Sequence, residues 1–91
     1  IDCVAGDIQT PAGSYNVLTT DGIILMATGT ATLFTAVGNK DQRIIVKRLA
    51  GATITIDGAG SETIDGATTK TLSSQYETLE IVSDGANWHV I

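Results

Sequence analysis

The chain has 91 residues, ten acidic against five basic side chains, a formal net charge of −5 and a hydrophobic fraction of 43%. That length fits one domain and not two, the apolar fraction excludes a disordered chain, and the acidic balance argues against nucleic acid, whose phosphates demand a basic footprint. A domain of this size buries roughly 60–68% of the surface its unfolded chain exposes, so self-association would add stability that a monomer lacks.

The chain opens on Ile1 and not Met, which reads as a fragment or a processed product. Residues 1–13 are expected to form an N-terminal extension or linker, and residues 14–91 a single all-β domain. Cys3, the only cysteine, has no internal disulfide partner and no His or Asn arranged around it, so it reads as a structural or free thiol and not as a nucleophile. No apolar run approaches the ~20 residues needed to cross a bilayer; the longest, Ile23-Ile24-Leu25-Met26-Ala27, is of strand length.

From residue 14 onward the pattern is strand, turn, strand. β-Branched Thr, Val and Ile dominate, and they fit a pleated surface better than a helix. Turn signals recur along the chain, at Ala12-Gly13, Asp21-Gly22, Gly38-Asn39, Asp57-Gly58, Asp65-Gly66 and Asp84-Gly85. Strands are predicted over Ser14–Leu18, Gly22–Ala27, Thr30–Thr35, Gln42–Leu49, Ala52–Ile56, Tyr76–Ser83 and Asn87–Ile91. Within Gln42–Leu49, Ile44 and Val46 fall on one face and Arg43 and Lys47 on the other, the period-2 signature of half-buried antiparallel strands. Lys40, Arg43, Lys47 and Arg48, four of the five basic residues, fall in this region and read as a solvated face or a local partner contact.

The last two strands read as a hairpin about Asp84-Gly85. Trp88, the single tryptophan, is expected either in the core or an interface, or as an exposed ligand-stacking platform. Thr55-Ile56-Asp57-Gly58-Ala59 recurs as Thr63-Ile64-Asp65-Gly66-Ala67, which suggests stacked short turns; two units are too few for a solenoid array.

The polar residues lack the spacings that chemistry needs. Asp57, Glu62 and Asp65 lack the alternating ligand spacing of a calcium loop, so turn chemistry is expected and metal is not. His89, the only histidine, lies in a predicted strand with no serine motif nearby. Glu77 and Glu80 have opposite parity in one strand and should face apart, which prevents their acting as an acid/base pair. Gly58-Ala59-Gly60 is followed by neither the further glycine nor the Lys-Ser/Thr of a phosphate loop. No catalytic residue, metal ligand or cofactor is assigned, and an enzyme is not expected.

The run Thr53-Ile54-Thr55-Ile56-Asp57-Gly58-Ala59-Gly60-Ser61-Glu62-Thr63-Ile64-Asp65-Gly66, then Thr71-Leu72, Tyr76-Glu77 and Ser83-Asp84-Gly85-Ala86-Asn87-Trp88, resembles the C-terminal β-domain of tailed-bacteriophage virion surface proteins: tail fibres, head fibres and capsid decoration proteins. Tyr15 to Thr19 through Ile23-Ile24-Leu25 resembles the opening of that module, so residues 14–91 are covered. The resemblance implies a non-enzymatic domain on the virion surface, outside the cell. It would be a fibre tip that attaches to the host through a bacterial surface glycan, or a decoration protein that stiffens the shell through other virion proteins. It further implies a homotrimer, with no membrane insertion; it carries over no binding residues. Together with the strand pattern it predicts an antiparallel β-sandwich or a barrel-like fold. The rival expectation is a carbohydrate-binding module clipped from a larger secreted protein.

Overall fold

The computed structural model describes residues 7–91; Cys3 and residues 1–6 of the expected extension lie outside the described residues. The described chain is all-β, with nine strands: β1 (Asp7–Gln9), β2 (Tyr15–Asn16), β3 (Asp21–Met26), β4 (Gly29–Thr32), β5 (Arg43–Arg48), β6 (Ile54–Asp57), β7 (Thr69–Leu72), β8 (Thr78–Ser83) and β9 (Trp88–Val90). All seven predicted strands are present, six of them shortened and β3 shifted by one residue at its predicted length. β1 and β7 are additional to the predicted strands, and β1 makes residues 7–9 of the expected extension an edge strand of the first sheet.

The strands form two sheets, ordered β1-β3-β5-β8-β9 and β2-β4-β6-β7. The predicted antiparallel arrangement does not hold throughout. Four of the seven ladders are parallel: β1 with β3, β3 with β5, β2 with β4 and β4 with β6. From β1 to β6 the chain alternates between the sheets, so each circuit lays one strand in each and the next circuit stacks on it in parallel. Parallel neighbours need a long crossover, and here a strand of the opposite sheet supplies it. The coil ends in antiparallel pairs, β7 on β6, β8 on β5 and β9 on β8.

The turn chemistry accounts for which loops reverse the chain. At Asp84-Gly85, Gly85 takes φ 96° and the Asp84 amide donates to the Asn87 carbonyl at 3.0 Å, closing the expected hairpin. At Asp65-Gly66 both residues have positive φ, 52° and 86°, as a tight turn between Ile64 and Ala67 requires. The two halves of the short repeat therefore differ. Thr55–Asp57 lies in strand β6, and only Thr63–Ala67 forms a turn, although Ile56 and Ile64 are both buried. Asp21-Gly22 is not a turn either; both residues are buried at the start of β3.

One core draws on both sheets: Ile24, Met26, Ile44, Val46, Ile81 and Trp88 from the first, and Ala31, Ile54, Ile56 and Leu72 from the second. Trp88 has no exposed surface, and its ring meets Phe34 edge-on, centroids 5.3 Å apart at 71°. It therefore offers no stacking platform. At the N-terminal end of the coil the buried Asp21 carboxylate accepts hydrogen bonds from Gln9 Nε2 (2.9 Å), the Tyr15 hydroxyl (2.7 Å) and the Leu18 amide (2.9 Å), tying β1, β2 and the following turn to β3. At the other end Arg48 is buried and donates through Nε to the Ala52 carbonyl (2.8 Å) and through Nη2 to the Gly51 carbonyl.

Candidate interaction surfaces

Strand register sorts the side chains of each sheet into an inner and an outer set. In the four-stranded sheet the outer set is polar. Thr30, Thr55 and Thr71 stand in one row across β4, β6 and β7, and Asn16, Thr32, Asp57 and Thr69 in the next. This is the composition expected of a sheet face turned to water.

The outer face of the five-stranded sheet is different. Ile8, Ile23, Ile45 and Glu80 stand in one row across β1, β3, β5 and β8, and the Ile91 amide donates to the Glu80 carbonyl at 2.9 Å, extending the row past β9. Leu25, Lys47 and Thr78 form the row on one side; Arg43, Val82 and His89 form the row on the other. Six aliphatic side chains thus lie outside the core, and Ile8 and Ile91 are 61% and 58% exposed. Arg43 approaches Glu80 at 3.8 Å, and Lys47 stands 5.4 Å from the ring centroid of Tyr76, an exposed aromatic at the rim. The four clustered basic residues therefore divide: Arg43 and Lys47 are outward as expected, Lys40 lies in a loop, and Arg48 is buried.

The sequence alternation anticipates Arg43 and Lys47 on this face but misses its aliphatic character. The signal was present in Ile23-Ile24-Leu25-Met26 and Ile44-Ile45-Val46, whose unbroken apolar runs put hydrophobic side chains on both faces.

The polar residues weighed for chemistry are dispersed. Glu62 accepts from the Ala36 amide (2.8 Å) and the Thr35 hydroxyl, Asp65 from the Val90 amide (3.1 Å), and Asp57 stands on the threonine face. Glu77 precedes β8 and caps the Ser73 and Ser74 amides, whereas Glu80 lies on the aliphatic face. His89 reaches Asp84 through Nε2 at 2.7 Å and Asp65 through Nδ1 at 3.6 Å, half-exposed. Asp84 also accepts from the Ala86 and Asn87 amides; the Asn87 bond first, then His89 and Ala86, lower its pKa to about 2. Among the described residues no group of three or more His, Cys, Asp or Glu side chains is placed to hold a metal ion, and no helix is long and apolar enough to cross a membrane.

No family model matches the chain, and neither a curated protein nor a solved structure matches it.

Proposed function

We propose that this chain is a non-enzymatic structural domain of the surface of a tailed-bacteriophage virion, acting as a homotrimer, either as a fibre tip that attaches to the host or as a decoration protein that stiffens the capsid. The resemblance of residues 14–91 supplies the context. The observation that carries the reading is the pair of sheet faces of opposite character, one aliphatic with a few charges and one lined with threonine. Such faces suit assembly and outward display, where binding and turnover of a small molecule call for a concave site with converging polar groups.

The rival module reading loses its expected aromatic platform, because Trp88 is buried in the core. The fibre and decoration forms separate by co-sedimentation of the purified chain with intact bacterial cells and with phage capsids. Saturable pelleting with cells supports the fibre form, and pelleting with capsids the decoration form. Binding to neither, with saturable binding to a glycan array by a monomer, would overturn the virion reading in favour of the module.

A further inference from the structure

We infer that copies of this chain meet through the outer face of the five-stranded sheet. The inference rests on the proposed self-association and assigns it to a surface.

A sheet face exposed to water ordinarily carries polar side chains, as the threonine face of this molecule does. The five-stranded sheet instead turns Ile8, Ile23, Leu25, Ile45, Val82 and Ile91 away from the core. Strands of three, six, six, six and three residues, ~3.3 Å per residue and ~4.8 Å apart, describe a face of about 380 Å², so covering two such faces removes on the order of 800 Å² from water, the size of a weak, reversible association.

Charge identifies the occupant. The chain carries a net −5, and most of its surface would repel a second copy. This face holds Arg43 and Lys47 on β5 and Glu80 on the adjacent β8. Arg43 and Lys47 flank Ile45 two residues to either side on β5, so a neighbouring copy's Glu80 can meet these cations while its isoleucines meet Ile23 and Ile45. The existing Arg43–Glu80 pair, 3.8 Å apart with 66% and 37% exposed side chains, is loose enough to exchange partners. Two cations beside six aliphatic groups are a poor footprint for nucleic acid, whose affinity comes from many phosphate contacts.

The test is the solution mass of the full chain by light scattering with size exclusion, under reducing conditions so that Cys3 cannot crosslink copies. The wild type is expected at a multiple of 9.4 kDa. Ile45→Glu, on the central strand, should weaken association on the order of 100-fold or more by burying an unpaired charge, giving a 9.4 kDa species with unchanged far-ultraviolet circular dichroism. Thr71→Glu, on the opposite face, should leave the assembly intact. A monomeric wild type, or an Ile45→Glu chain that stays assembled, overturns the inference. Should Ile45→Glu fail to fold, radical footprinting of the wild type decides: Ile23, Leu25 and Ile45 must gain labelling on dilution, and constant labelling overturns the inference. A stable dimer upholds the face and removes the trimer from the proposed function. Assembly that dissociates with Thr71→Glu and not with Ile45→Glu removes this face and leaves the virion reading to the co-sedimentation test.

Discussion

The Tyr15 hydroxyl donates to the Asp21 carboxylate at 2.7 Å, joining the edge strand of one sheet to the second strand of the other. That hydrogen bond, then burial, then the charges of Asp21 and Asp7 raise the Tyr15 pKa from 10.0 to about 12. A phenol is neutral when protonated, so a raised pKa means that the folded state holds the proton more tightly than the unfolded chain does. The stabilisation is present in full below pH 10, and it is lost as pH rises from about 10 to about 12, where the unfolded chain has already released its proton. Alkaline titration followed at 295 nm should show a phenol ionising near pH 12, and Tyr15→Phe should abolish that step. If the Tyr15 step instead falls near 10, the hydrogen bond is absent in solution.

Asp21 has a larger structural role than Tyr15, because three donors converge on it. Asp21→Ala leaves the Leu18 amide, the Tyr15 hydroxyl and the Gln9 amide without their acceptor in a largely buried site. The expected cost is on the order of 3 kcal/mol, read by urea denaturation. Hydrogen exchange should localise the damage to β1, β2 and the turn before β3, with β8 and β9 unaffected.

Trp88 is the largest fully buried side chain, packed edge-on against Phe34. Trp88→Ala should cost about 3–5 kcal/mol, and in a domain this small that should leave little folded protein. The wild-type fluorescence should be blue-shifted and resistant to quenching by iodide. A well-folded Trp88→Ala chain that loses glycan binding would instead restore the carbohydrate-module reading.

Gly51 sits at φ 84°, and a Cβ placed there would stand 2.7 Å from the Ala27 carbonyl oxygen. Its own carbonyl accepts from the buried Arg48 guanidinium, so the loop has little room to shift. Gly51→Ala should destabilise by more than ~1 kcal/mol, measured as a lowered urea midpoint at unchanged slope. Gly38 has a similar φ of 81° but open space around its Cα. Gly38→Ala should therefore cost less than Gly51→Ala.

The strand positions were legible because inward aliphatic residues recur at every second position, Ile44 and Val46 in β5 and Leu79 and Ile81 in β8, whatever the direction of the neighbouring strand. Direction was not legible for the same reason. A parallel coil and an antiparallel meander place the same residues inside, and local turn signals favour the meander. The unbroken run Ile23–Met26 carried the missing information, since strands flanked by parallel neighbours often read as continuous apolar stretches. β7 escaped notice because Thr69-Lys70-Thr71-Leu72 contributes only Leu72 to the buried core. Asp21-Gly22 misled because Asp serves turns and buried acceptor sites equally well, and only the distant Gln9 and Tyr15 decide between them. Of the candidate surface, Arg43 and Lys47 could be placed from alternation. The isoleucine row could not, because Ile8, Ile23 and Ile45 become neighbours only once the coil sets the register.

The hairpin that closes the chain should give way in acid. Asp84 accepts from the Asn87 amide, His89 and the Ala86 amide, and its pKa falls from 3.8 to about 2. A carboxyl that is more acidic in the folded state contributes stability that is complete above about pH 4. That contribution disappears as pH falls through about 2, when the folded carboxylate is also protonated. The Asp84 carboxyl resonance should titrate near 2 by carbon-detected NMR. Asp84→Ala removes the acceptor of both turn amides and should speed hydrogen exchange at Ala86 and Asn87 while leaving the β4–β6 ladder protected. His89→Gln keeps those two backbone bonds and should move the Asp84 titration only part of the way back towards 3.8. A complete return to 3.8 in His89→Gln would make the imidazole, and not the turn amides, the principal partner of Asp84.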